Sequence, residues 1–422
     1  MQSCRLDRAI EPKSPDAANT TDFSKYISIG DSQTAGYTND GLYREAQLTS
    51  YPSIIAAQMK AAGGGTFSQP LFDEAQANGS GYLKLIGFNP DGSPIINGTT
   101  DKLAVRATNN VPTYYTKYSG SNNNFGIPGI KLADINNAAY GNINPYYERL
   151  LPNIPPNNTT TYQDFITANS FTFFTCWLGN NDVLSYATSG GTSVLPTDKN
   201  SFLQLYNVLA ARLTAKDQKG AIATIPDVSA IPYFNTVTVA AINTSIKIVN
   251  PMGALYINAR SSASVGDTLH IVRKAEGNDL ITLTFDAKRI GQLVNTKSGP
   301  KPYGLSPLAP VENKYVLDYN ETNIVRDYTA SYNSNIKTIA LSYNLALFDA
   351  YSFLNQLKQG ISVDGINVNA TFITGGAFSL DGVHPTPRGY AMEANEFIKA
   401  INTQYHTSIK TVNVSAYKGV LP

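Results

Sequence analysis

The chain is short of the residues that build metal centres and disulfide frameworks. Its 422 residues hold two cysteines and three histidines. Two cysteines allow at most one bridge, between Cys4 and Cys176. Cys176 lies inside the apolar run Phe171–Leu178, which reads as a buried, reduced thiol. His270, His384 and His406 are far apart in sequence, and no His/Asp/Glu cluster has metal-ligand spacing, so no metal and no cofactor are expected. The net charge is +1, which gives no reason to expect a nucleic-acid partner. There is no run of about 18 apolar residues, so no transmembrane helix is expected. A phosphate loop is missing too, because Gly63-Gly64-Gly65 follows a helical stretch instead of preceding one. Charged residues make up 15% and hydrophobic residues 42% of the chain, the balance of a folded globular protein.

What is present is a set of strand ends that carry polar residues. Tyr26–Ile29 reads as a strand, stopped by Gly30 and followed by Asp31-Ser32. Phe171–Leu178 reads as a central parallel strand buried on both faces, ended by Gly179 and followed by Asn180-Asn181-Asp182. Ala221–Ile225 is the next strand, ended by Pro226-Asp227. Near the C-terminus stands Asp381-Gly382-Val383-His384-Pro385. In α/β enzymes the carboxyl edge of a parallel sheet is where reacting groups sit.

A serine hydroxyl is a poor nucleophile and needs a base within hydrogen-bond reach. His270 falls in a β-rich stretch and His406 in the tail. His384 alone sits in a loop before a helix, with a carboxylate three positions earlier. That spacing lets Asp381 and His384 share one turn, so that the carboxylate fixes the imidazole tautomer and the other nitrogen faces Ser32. Taken alone, His384 reads more readily as a helix cap; the Ser32 and Asn181 blocks reverse the balance.

These blocks, with Asn124-Phe125-Gly126-Ile127-Pro128-Gly129, resemble those of the SGNH (GDSL-type) hydrolase family, in the family's order and across almost the whole chain. Ser379–Tyr390 resembles lipoprotein-like members from Bacteroidetes-type bacteria in particular. One departure is Gln33, where the family usually has leucine after the serine. The resemblance implies a Ser32–His384–Asp381 triad. It also implies an oxyanion hole made by the N–H of Ser32, the N–H of Gly129 and the side-chain amide of Asn181. Asp31 and Asp182 read as structural acceptors of backbone N–H groups. The activity implied is a serine esterase or acylhydrolase working through an acyl-enzyme on lipid or acylated carbohydrate esters. A cell-surface binding protein that no longer turns over is the competing class.

The order of elements predicts a three-layer α/β/α sandwich; the resemblance implies a flavodoxin-like sheet of about five parallel strands. Helices are expected over Ser50–Met59, Ile130–Ala139, Phe202–Leu213, Ile324–Ile336 and Tyr351–Leu357, with a last one from Pro387. Leu345–Phe348 reads as a strand and Leu184–Thr197 as a loop. Residues 22–422 are expected to form one domain with insertions at about 63–123 and 235–315. The second insertion reads as antiparallel strands over Ala254–Ile257, Thr268–Val272 and Leu280–Phe285. They look too short and too polar to form a core of their own, and are expected to wall the site.

Residues 1–21 are polar and without periodicity, the pattern of a flexible tether. Ser3-Cys4 resembles the mature start of a bacterial lipoprotein, although no apolar signal segment precedes it in this sequence. An extracytoplasmic, membrane-anchored monomer is the expectation. A free cysteine in a flexible terminus is the alternative.

Overall fold

The structure is a computed structural model that describes residues 21–106 and 113–421. At its centre lie five strands, β1 Tyr26–Gly30, β2 Asn124–Gly126, β3 Phe173–Trp177, β4 Lys219–Ala223 and β5 Ala346–Phe348. All neighbouring pairs run parallel, in the order β2-β1-β3-β4-β5. This is the flavodoxin-like order, whose switch point falls between β1 and β3. The α/β/α sandwich expected from the sequence is the fold of the chain.

The strands form where the apolar runs leave no amphipathic alternative. Every residue of β1 and of β3 is buried. A strand buried on both faces needs a helical layer on each side. Tyr51–Ala61 and Pro387–Tyr405 pack together on one face, and Lys199–Leu213 and Tyr319–Ser342 pack together on the other. Phe397 of the first layer stacks on Tyr51 and meets Trp177 of β3 edge-on. Burying each such aromatic contributes roughly 1.5–3 kcal/mol. Cys176 lies in β3 without solvent exposure, and burial pushes its thiol up to about 12. Cys4 lies outside the described residues.

Register decides where the loops emerge. Gly30 pairs with Gly126 of β2 and with Trp177 of β3. The three strands therefore end level, and Ser32, Gly129 and Asn181 leave from one edge within a few residues of those pairs. Gly30 must be glycine: a Cβ there would lie 2.0 Å from Thr34 Oγ1 and 2.5 Å from the Trp177 carbonyl. Tyr162 closes the gap between β1 and β2. Its hydroxyl accepts from the Gly30 N–H at 3.1 Å and donates to the Phe125 carbonyl at 2.5 Å.

Three local expectations are corrected. Ile130–Ala139 is not a helix but holds a single 3-10 turn, Leu132–Asp134. Asn137 Oδ1 takes the Ala139 N–H at 3.0 Å, an Asx turn that offers the backbone an alternative to the helical ladder, while the Leu132 and Ala133 N–H groups donate to Asp182 and the Ile130 carbonyl accepts from Asn181. Leu184–Thr188 is helical, because a helix starts at Asn180 straight after Gly179, whose φ is +110°. The second insertion does have its own core. Helix Val239–Val249 places Val239, Ile242 and Ile246 against Leu255, Ile257, Ile281 and Val311. Its strand Tyr256–Arg260 looks polar because it buries alternate residues, Ile257 and Ala259, in that core, while its partner His270–Lys274 buries none of its side chains.

Candidate active site

Ser32 opens a short helical turn, Ser32–Ala35, directly after β1. Asp31 caps the turn, accepting from the Gln33 N–H at 3.0 Å. Ser32 is 7% exposed, which keeps its hydroxyl reachable from one side. Its Oγ lies 2.9 Å from His384 Nε2. On the far side of the ring, His384 Nδ1 lies 3.0 Å from Asp381 Oδ2. Asp381 Oδ1 accepts from the N–H groups of Val383 and His384, both at 2.8 Å, and its Oδ2 from the Asp40 N–H, also at 2.8 Å. The carboxylate is thus fixed by three backbone donors and cannot turn away from the ring.

The electrostatics follow from that packing. Burial disfavours the imidazolium, but the Asp381 carboxylate, with Asp31 and Asp40, outweighs it and holds His384 above the ordinary histidine value. Burial likewise opposes the Asp381 carboxylate, but the charge and hydrogen bonds of His384 hold it below the ordinary carboxylate value. Asp31 behaves oppositely. Burial pushes it up to about 6, against the bonds from Gln33 and Asn180.

Gly129 and Asn181 line the neighbouring loops. Gly129 adopts φ +83°, a left-handed conformation that favours glycine. Asn144 Nδ2 donates to the Pro128 carbonyl at 2.9 Å. Pro128 C=O and Gly129 N–H belong to one planar peptide unit and point opposite ways. Asn144 therefore also aims the Gly129 N–H, which meets no acceptor among the described residues. Asn181, 9% exposed, donates from Nδ2 to the Ile130 carbonyl at 3.0 Å. Asp182 takes the Leu132 and Ala133 N–H groups and the Thr197 hydroxyl, each at 2.6 to 3.2 Å. Asp31 and Asp182 both accept backbone N–H groups.

The structure thus brings Ser32, His384 and Asp381 into one chain of contacts and sets Gly129 and Asn181 on the adjoining strand ends. Sequence reasoning missed Asn180, whose Nδ2 donates to Asp31 Oδ2 at 3.0 Å and ties β3 to the serine turn. It also missed Asn144, and Tyr37, whose ring lies 4.7 Å from the His384 ring. Asn180 gave no local signal beyond its place beside Asn181. Among the described residues no group of three or more His, Cys, Asp or Glu side chains could hold a metal ion. No helix there is long and apolar enough to cross a membrane.

A parallel sheet with polar groups converging on its switch point is the arrangement of an α/β enzyme of the three-layer class. The chain belongs to the GDSL-like lipase/acylhydrolase family, whose model matches residues 26–397. Membership makes it a carboxylic ester hydrolase. Similar solved structures include an α/β hydrolase from the metagenome of Lake Arreo, Spain. It is 12% identical with a TM-score of 0.39, over 92% of this chain and 99% of that one. An acetylxylan esterase from Geobacillus stearothermophilus is 11% identical with a TM-score of 0.38, over 93% and 100%. A lipase/acylhydrolase from Enterococcus faecalis is 11% identical with a TM-score of 0.35, over 92% and 99%. No curated protein matches the chain.

Proposed function

We propose that the chain hydrolyses esters through a Ser32–His384–Asp381 triad and an acyl-enzyme. The contact that carries this reading is the 2.9 Å approach of Ser32 Oγ to His384 Nε2, backed by Asp381 at 3.0 Å. Ser32 Oγ attacks the ester carbonyl as its proton passes to Nε2. The negative oxygen that forms accepts from the Ser32 and Gly129 N–H groups and from Asn181 Nδ2. Collapse of the tetrahedral species breaks the bond to the alkoxy oxygen, which leaves as the alcohol with the proton from Nε2. Water then gives a proton to His384, attacks the acyl-serine, and releases the carboxylic acid with Ser32 restored. Asp381 remains ionised throughout and stabilises the imidazolium.

The substrates in view are lipid esters and acylated carbohydrates, taken by a monomer. Release of p-nitrophenol from p-nitrophenyl acetate tests turnover, and trapping with a fluorophosphonate tests the nucleophile. Labelling of any residue other than Ser32 would overturn the assignment.

The resemblance of Ser379–Tyr390 and of Ser3-Cys4 supports placing the chain among lipoprotein-like members, held at a membrane surface by an acyl anchor on Cys4 with residues 5–21 as a tether. Recovery of the native protein in buffer without detergent would count against that placement.

A further inference from the structure

The loop Tyr37–Gly41 follows the serine turn, and its backbone is unusual. Asn39 and Asp40 both lie in the left-handed region, at φ 53° and 58°. They are the central pair of a two-residue turn closed by Thr38 and Gly41, whose N–H groups donate to each other's carbonyls at 3.0 and 3.1 Å, a turn that Asn and Asp suit. The turn packs on the histidine segment. Thr38 Oγ1 donates to the Pro385 carbonyl at 2.7 Å. The Asn39 N–H donates to Ser379 Oγ at 2.9 Å, and Asn39 Oδ1 accepts from the Leu380 N–H at 3.1 Å. The Asp40 N–H donates to Asp381 Oδ2, the oxygen that also faces His384 Nδ1. Tyr37, whose ring lies against the imidazole, donates from its hydroxyl to Asp40 Oδ1 at 3.2 Å.

We propose that Asn39 and Asp40 are positioning residues for the His384–Asp381 couple. Asn39 sets where the histidine segment sits, and Asp40 adds a third carboxylate, after Asp381 and Asp31, whose charge favours the imidazolium. The proposal rests on the triad reading above. Asn39 bridges two successive residues, Ser379 and Leu380, immediately before Asp381, so its loss lets the carboxylate drift. The groups that face His384 are the carboxylates of Asp381, Asp31 and Asp40 and the Tyr37 phenol; Tyr43 and Tyr390 stand near Asp381. The Asp31 carboxyl is buried and already bonded to Gln33 and Asn180. Asp40 is exposed on its outer side, so salt screens its share of the field while leaving that of the buried groups. That difference separates its contribution from theirs.

The experiment is a kcat/KM profile against pH with p-nitrophenyl acetate, for the unaltered chain and four variants, with Ser32→Ala as control. Asp40→Asn keeps the backbone N–H and removes the charge. Its acidic limb is expected to move to lower pH by roughly half a unit, and the difference is expected to shrink in about 1 M NaCl. Asn39→Ala is expected to lower kcat about 10- to 100-fold with KM held, and Asn39→Asp, which keeps the acceptor oxygen, to restore most of it above the limb. Asn39→Gly accommodates the backbone without strain but lacks the carboxamide, so it tests the same loss if the alanine variant folds poorly. An acidic limb unmoved in Asp40→Asn, or a full kcat in Asn39→Gly, overturns the proposal while Ser32→Ala remains inactive. Activity surviving in Ser32→Ala overturns the triad reading instead.

Discussion

Asn181 spends one of its two amide hydrogens on the Ile130 carbonyl, 3.0 Å away. The bond joins the helix after β3 to the loop that carries Gly129, so one side chain both offers a donor and fixes the position of another. The second amide hydrogen has no protein partner among the described residues. Asn181→Ala should lower kcat by about 10²–10³-fold, the cost of one oxyanion donor. A raised KM with kcat unchanged would make Asn181 a contact for the substrate ground state.

His384 also sets a pH dependence with a definite sign. In the proposed mechanism His384 must be neutral to take the Ser32 proton, and Asp381 raises its affinity for protons against the effect of burial. Activity should therefore rise with pH through a value above the ordinary histidine 6.5. In Asp381→Asn the ring loses that charge, so the limb should shift down while kcat falls by about 10⁴-fold, as for a wrong tautomer. A pH profile of kcat/KM decides it, and a limb centred below 6.5 in the unaltered chain would contradict the charge coupling.

Tyr162 offers a test of stability apart from chemistry. Its hydroxyl satisfies the buried Gly30 N–H and the Phe125 carbonyl at the β1–β2 seam. Tyr162→Phe keeps the ring and removes a hydrogen bond from each group, so stability should fall by about 1–3 kcal/mol. Urea unfolding should show a lower midpoint with an unchanged slope.

The sequence carried the sheet and the strand ends because buried parallel strands are continuous apolar runs stopped by glycine, as at Phe171–Gly179. It misread Ile130–Ala139 for a physical reason. Asn136 and Asn137 sit inside the stretch, and Asn137 takes the Ala139 N–H in an Asx turn, while Asp182, about 50 residues away, anchors its start. Asn39-Asp40-Gly41 has turn chemistry, but its contact with Ser379–Asp381, more than 300 residues on, left no mark in the sequence. The second insertion was underrated because one-sided strands hide their apolar face until the helix that covers it, Val239–Val249, is recognised.

That insertion gives the last prediction. The Tyr233 N–H, just before the insertion, donates to the Gly382 carbonyl of the histidine segment at 2.9 Å, and the Leu283 N–H, inside the insertion, donates to the Tyr233 carbonyl at 2.7 Å. Leu283 presses on Gly382 closely enough that a Cβ there would come within 2.9 Å of it. Leu283 thus touches the loop at Gly382, two positions before His384 in the chain. A wall in that position should limit large substrates and be indifferent to small ones. Leu283→Ala should leave kcat/KM for p-nitrophenyl acetate within about twofold and raise it for longer or branched acyl esters by about tenfold, the discrimination one apolar contact supplies. Because the insertion has its own core, the substitution should cost stability there without unfolding the sandwich. Measured relative rates across a series of acyl lengths decide the matter. Identical ratios in both chains would mean that the insertion does not border the substrate.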